Sequence, residues 1–173
     1  MAVHAPHNGV NAPALGAFAQ RLQDAAPPEG TPFHASVHWQ GGFRNEIRVR
    51  DLAPTYADEP EVLGGTNTAS NPVEQILGAL GSCLAIGYTA GALARGIKIE
   101  DLRIDLTGNI DLPVFFGLKA GHAGYESIDA KVHLKTDASP AAVEALHEDV
   151  FRTSPVGNTL ARPAALNVHL SHD

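Results

Sequence analysis

The sequence predicts an α+β fold, and three observations carry that prediction. Apolar and polar residues alternate in five short stretches, beginning near Phe33, Phe43, Ile97, Ile128 and Leu166, as in half-buried strands. Three other segments, opening near Asn11, Asn71 and Ser139, set apolar residues at helical spacing behind a capping side chain. The resulting order α, ββ, α, ββ, α, β keeps strands in adjacent pairs, which argues against a doubly wound parallel sheet.

Residues 1–10 are expected to form a mobile tail and residues 11–30 an N-terminal helical extension. Its helix runs from about Asn11 to Ala25, with Asn11 as cap, Leu15, Phe18, Ala19 and Leu22 at helical spacing, and Pro27 and Pro28 as the stop. Phe33, Ala35, Val37 and Trp39 then alternate with His34, Ser36, His38 and Gln40. Gly41-Gly42 supplies a turn and Phe43 to Arg50 returns, which makes a β-hairpin. In the return strand Arg44, Glu46, Arg48 and Arg50 lie on one face and Ile47 and Val49 on the other. A solvated sheet surface and a hairpin covering a partner subunit both fit that pattern.

Asp51 to Ser70 has the composition of a loop. At Asn71-Pro72 a helix begins, with Asn as N-cap, Pro at the first helical position and Glu74 in the first turn, where the helix dipole favours a carboxylate. It is expected to run to about Arg95 and stop at Gly96. Gln75 to Ala94 holds no charged residue and approaches the length of a bilayer span. Gly78, Gly81, Gly87 and Gly91, with Gln75, Ser82, Tyr88 and Thr89, dilute its hydropathy, so it is read as a central buried helix. The glycines at 87 and 91 allow close approach of another helix, and the helix needs more cover than one small sheet provides, which points to an intertwined homodimer.

Ile97 to Asp111 and Ile128 to Lys135 read as strands, with the glycine-rich, aromatic Leu112 to Glu126 between them as a loop or flap. Ser139-Pro140 opens a helix with Val143, Leu146 and Val150 on one side. Leu166, Val168 and Leu170 read as a closing strand.

At 173 residues the chain is expected to be one domain. Its 19 acidic and 12 basic residues give a net charge of −7 without a basic cluster, which disfavours nucleic acid and anionic membrane surfaces as partners. One cysteine cannot form an intrachain disulfide, and MAVHAPHNGV lacks the features of an export signal, so a cytoplasmic location is expected. None of the nine histidines falls in a metal motif: His4 and His7 lie in the tail, and His122 reads as a solvated loop residue. His34 and His38 share a strand face, yet four strand residues span about 13 Å, too far for one ion. No metal or cofactor is therefore expected. Ser82 and Ser154 lack a nucleophile-elbow context, which leaves a hydrolase weakly supported.

The single cysteine, Cys83, sits within NPVEQILGALGSCL, residues 71–84. A lone thiol in an apolar helix is either packing or a reactive group. With Asn71-Pro72-Val73-Glu74-Gln75 followed by Ala79-Leu80-Gly81-Ser82-Cys83-Leu84, the chain resembles the osmotically inducible protein C and organic hydroperoxide resistance (OsmC/Ohr) family. Gly41-Gly42 after a Val-x-Trp strand, the loop from Asp58 to Gly65, GIKIEDLRIDLTGNID at 96–111 and SPVGNTL at 154–160 extend the resemblance over about Phe33 to Leu170.

The resemblance implies an OsmC-like fold, with antiparallel sheets around a central buried helix in an intertwined homodimer. It implies a cysteine thiolate that attacks an organic hydroperoxide, an arginine that holds the thiolate, a glutamate that orients the arginine, and a second cysteine whose disulfide is reopened by a dithiol reductant. Cys83 matches the first cysteine. Arg44 is carried over because it closely follows Gly41-Gly42, with Arg48 as runner-up, and Glu74 is carried over from its Asn-Pro context. Glu74 precedes Cys83 by nine residues, which at about 100° per residue puts the two on opposite sides of a straight helix. The position before Pro155-Val156, where typical peroxidases of the family carry the second cysteine, is Ser154. The reading is thus a single-cysteine member that reduces organic hydroperoxides at Cys83 with an external thiol. The alternative is a non-catalytic small-molecule binding or redox-sensing protein of the same fold.

Overall fold

A computed structural model describes residues 7–25, 30–162 and 164–171. Its elements are α1 (Ala12–Asp24), β1 (Ser36–Trp39), β2 (Asn45–Arg48), β3 (Thr55–Ala57), α2 (Pro72–Ala94), β4 (Ile99–Gly108), α3 (Leu112–Phe115), β5 (Ile128–Thr136), α4 (Pro140–Thr153) and α5 (Pro155–Ala161). The fold is α+β with antiparallel sheets. The chain groups into two compact units, Asn11–Gly78 and Ala79–Asp173 with the residues up to Val10.

In the unit Asn11–Gly78, α1 starts where Asn11 accepts a hydrogen bond from the Ala14 N–H at 3.1 Å. Pro27 and Pro28, expected to stop it, lie outside the described residues. Strands β1, β2 and β3 form an antiparallel sheet in that order, with Val37 opposite Ile47 and Asn45 opposite Ala57. The hairpin turn needs two glycines because both take left-handed φ, +105° at Gly41 and +56° at Gly42. The Trp39 indole N–H clips it shut on the Gly42 carbonyl at 2.8 Å. Strand β3 corrects the reading of residues 51–70 as loop throughout: it is three residues long, and its order comes from pairing with β2 rather than from its own pattern.

In the other unit, β4 and β5 pair antiparallel over nearly their whole length, with Leu102 opposite Leu134 and Ile104 opposite Val132. Leu80, Leu84, Tyr88 and Ala92 recur every four residues along α2 and form one buried stripe. That stripe packs with Ile97 and with Leu146 and Val150 of α4, and is flanked by Leu102, Ile104, Leu106, Val132 and Leu134 of the sheet. The buried Tyr88 hydroxyl hydrogen-bonds His147 Nδ1, and burial, with Glu144 nearby, pushes its phenol up. Helix α2 is long and apolar enough by length and composition to cross a membrane. Its buried stripe is instead built for α4 and the sheet, whereas Ile86 on another face is 71% exposed.

Of the tail expected to be mobile, residues 7–10 are described. Asn8 lies in a 3-10 turn, donates to the Ile97 carbonyl at 3.0 Å and accepts from the Ile99 N–H at 2.9 Å. The first six residues lie outside the described ones. The expected closing strand is not formed: Leu166, Val168 and Leu170 are 88, 92 and 81% exposed and belong to no sheet. Alternation marks a segment able to be a strand, but a strand also needs a neighbour to take its backbone hydrogen bonds.

Candidate active site

The start of α2 is fixed by a reciprocal cap. The Glu74 N–H donates to Asn71 Oδ1 at 3.0 Å, and the Asn71 N–H donates to Glu74 Oε2 at 2.9 Å. Gln75 ties the same turn down by donating to the carbonyls of Tyr56 and Ser70. The carboxylate of Glu74 is thereby engaged with the end of its own helix, and no contact of it with an arginine occurs among the described residues.

Cys83 follows three turns later and is half-buried. Its Sγ lies 3.3 Å from Ser154 Oγ, across 71 positions of sequence. Ser154 is only 4% exposed and is the N-cap of α5, accepting from the Gly157 N–H at 3.0 Å. A thiolate has no proton to give, so with Cys83 ionised the serine hydroxyl must be the donor. The fold therefore brings the motif cysteine face to face with the residue before Pro155-Val156.

Arg44 sits just after the hairpin turn. Its Nη1 donates to Thr68 Oγ at 2.7 Å, and its guanidinium carbon lies 4.2 Å from the centre of the Tyr56 ring, a cation–π stack. Arg48 is engaged differently, in an ion pair with Glu46 at 2.6 Å. Of the two arginines, Arg44 is the one whose partners are neutral. The site residues thus fall into three local groups: Cys83 with Ser154, Glu74 with Asn71, and Arg44 with Thr68 and Tyr56.

Beneath Thr68 lies Asp58, 1% exposed. It accepts from the hydroxyls of Thr66 at 2.5 Å and Thr68 at 2.9 Å, and from the backbone N–H groups of Glu59, Thr66 and Thr68. The Thr66 hydroxyl foremost, then the Thr68 N–H, hold its carboxyl well below the usual carboxylate range. A depressed folded-state value means that the ionised form stabilises the fold above the unfolded carboxylate value, and that this stability is lost as pH falls. Asp58→Asn is accordingly expected to be less stable than the parent by a constant margin above about pH 5, a margin that shrinks steadily below about pH 4. Urea unfolding of both proteins across pH 2.5 to 7 (about five steps) checks this, and a margin independent of pH contradicts it. In the sequence Asp58 stands out only as the start of a landmark loop, and Thr66, Thr68 and Tyr56 not at all, because a loop of irregular hydrogen bonds has no periodicity to detect.

No group of three or more His, Cys, Asp or Glu side chains able to hold a metal occurs among the described residues. His122 is exposed; His4 and the side chain of His7 lie outside the described residues.

The sequence profile of OsmC-like proteins matches residues 65–169, more than half of the chain. The chain belongs to the OsmC family. Among relatives of this OsmC-like protein, the uncharacterized protein YmaD of Bacillus subtilis (strain 168) is 29% identical over 120 residues, covering 67% of this chain and 75% of YmaD. An OsmC-like protein from Mycoplasma pneumoniae superposes with a TM-score of 0.61 at 19% identity, covering 78% of this chain and 89% of its own. An organic hydroperoxide resistance protein OsmC from Legionella pneumophila, described as a predicted redox protein, superposes with a TM-score of 0.55 at 19% identity, covering 76% and 90%. At such identities the two structures speak for a shared OsmC-like fold.

Proposed function

We propose that this OsmC-family protein reduces organic hydroperoxides, with Cys83 as nucleophile, Arg44 as the cation that favours its thiolate, and an external dithiol as reductant. The observation that carries the reading is the Cys83–Ser154 contact at 3.3 Å, a half-buried thiol with a buried hydroxyl turned toward it. The Cys83 sulfur attacks one peroxide oxygen, a S–O bond forms as the O–O bond breaks, and the alkoxide leaves and takes up a proton as alcohol. Cys83 becomes a sulfenic acid. One thiol of the reductant displaces water from it, and the second releases Cys83 as thiol. Glu74 enters this reading only as the residue that fixes the start of the helix carrying Cys83. The chemistry needs a reducing compartment, and the cytoplasm is the proposed location.

The test is consumption of cumene hydroperoxide by pre-reduced protein, first without reductant and then with excess dithiothreitol, beside Cys83→Ser. Loss of one equivalent per chain, sustained by dithiol and abolished in the variant, supports a one-cysteine peroxidase. Consumption no greater than the variant's overturns it and favours a non-catalytic binding or sensing protein.

The working form is proposed to be a homodimer in which a second copy covers apolar surface left bare by one chain. Ile86 of α2 is 71% exposed, Val37 and Trp39 of β1 are 62 and 73% exposed, and Leu166, Val168 and Leu170 are freer still. Ile86→Glu is expected to shift sedimentation velocity profiles from dimer toward monomer, since it asks a carboxylate to leave water at the contact. A parent protein that sediments as a monomer at micromolar concentration overturns the dimer.

A further inference from the structure

The Arg44 side chain carries a permanent charge and five N–H donors, yet among the described residues the guanidinium's only hydrogen-bond partner is one neutral hydroxyl. An arginine that serves the fold normally meets a carboxylate, as Arg48 meets Glu46. A carboxylate does lie close by, but Thr68 stands between. The Thr68 O–H is spent on Asp58 Oδ2 at 2.9 Å, so only its lone pairs are left to face Arg44 Nη1 at 2.7 Å. The order of donation therefore has one direction, from Arg44 to Thr68 to Asp58.

Asp58 cannot swing out to pair with the guanidinium, because it is buried and its oxygens are held by Thr66, Thr68 and Glu59. Tyr56 meanwhile supports the guanidinium from its ring face at 4.2 Å. The set fixes where the cation is without an ion pair to cancel it, as a group meant to meet an anion requires.

We propose that Thr68 and Asp58 are positioning residues, which hold Arg44 in place and un-neutralised so that its charge remains available to the Cys83 thiolate. This rests on the reading of Arg44 as partner of Cys83, and it can be tested without any peroxide. Thr68→Val keeps the size of the side chain and removes the hydroxyl, whereas Thr68→Ser keeps the hydroxyl.

The experiment measures the rate of Cys83 alkylation by iodoacetamide at neutral pH, which follows the thiolate fraction, in the parent, Thr68→Val, Thr68→Ser, Asp58→Asn, Arg44→Met and Arg44→Met/Thr68→Val. Unfolding curves identify which variants are folded at the assay temperature. Thr68→Val is expected to slow alkylation about tenfold, with Thr68→Ser restoring it to within about twofold, and with no further loss from valine once Arg44 is methionine. Asp58→Asn, if folded, is expected to slow it in the same direction. In 15N-arginine spectra the Arg44 side-chain signal, assigned from its loss in Arg44→Met, is expected to move in Thr68→Val and to return in Thr68→Ser. That spectrum decides the positioning step should the valine variant prove too unstable for kinetics, since Asp58→Asn is expected to move the same signal.

Parent-like alkylation in folded Thr68→Val, or an Arg44 signal unmoved by loss of the hydroxyl, overturns the proposal. Hydroperoxide consumption by the parent no greater than that of Cys83→Ser is a separate result, and it overturns the peroxidase reading alone.

Discussion

Ser154→Cys is expected to close a disulfide to Cys83 when the reduced variant meets one equivalent of cumene hydroperoxide, so that both thiols are lost together. The two side-chain atoms are already 3.3 Å apart, and disulfide sulfurs lie about 2 Å apart, so the approach required is small. After Cys83 is oxidised to sulfenic acid, the thiol introduced at position 154 attacks its sulfur and water leaves, an intramolecular step favoured over capture by a free thiol. Thiol titration and dimedone trapping separate the two proteins. Oxidised parent retains a sulfenic acid that dimedone labels, while the oxidised variant shows neither free thiol nor label. The bridge would span the 71 positions between the two residues, and constraint of that loop in the unfolded chain corresponds to about 4 kcal/mol. Against this stands loss of the Ser154 cap on Gly157, about 1 kcal/mol, which weakens the reduced variant. Urea unfolding with and without dithiothreitol should therefore place the parent between the two forms of the variant. A variant that retains two titratable thiols after oxidant contradicts the geometry.

How far residues alone lead can be seen from individual elements. The start of α2 was legible because Asn71, Pro72 and Glu74 are local signals, read within one turn, and the hairpin was legible because Gly41-Gly42 has few alternatives between alternating runs. Strand β3 was not, since three residues carry no period and owe their order to β2. Helix α5 was missed as a helix for a similar reason. SPVGNTL was noticed as a landmark, but the cap that makes Ser154 a helix start also turns it toward Cys83, and that contact joins residues far apart in sequence. As candidates, Cys83 and Arg44 could be nominated through the family resemblance. The hydrogen bonds that join Arg44 to Thr68 and Thr68 to Asp58 could not, because irregular loop hydrogen bonds leave no mark on composition. Glu74 shows the opposite case: a residue nominated for chemistry from its context, whose carboxylate the structure finds capping its own helix.

Leu146→Ala is expected to cost about 3 kcal/mol, within the range found for leucines removed from close-packed cores. Leu146 is 0% exposed and lies among Leu84, Tyr88, Ala92, Ile97 and Val150, where helices α2 and α4 meet. The two helices approach closely because Gly91 offers no side chain: a Cβ there would lie 2.6 Å from Leu146 Cδ1. Gly91→Ala should then destabilise as well, although alanine is the better helix former, because the methyl group has no room beside the leucine. The decisive measurement is the double variant. With Leu146 shortened, the methyl group introduced at position 91 enters space the leucine has vacated, relieving the overlap and filling part of the cavity. Gly91→Ala/Leu146→Ala should be more stable than the sum of the two single losses predicts, by at least about 1 kcal/mol. Urea unfolding at one fixed protein concentration measures all four proteins on a common scale, since the stability of the proposed dimer depends on concentration. Strict additivity would mean that Gly91 and Leu146 do not meet, and the close packing of α4 on α2, which holds the helix bearing Cys83, would have to be redrawn.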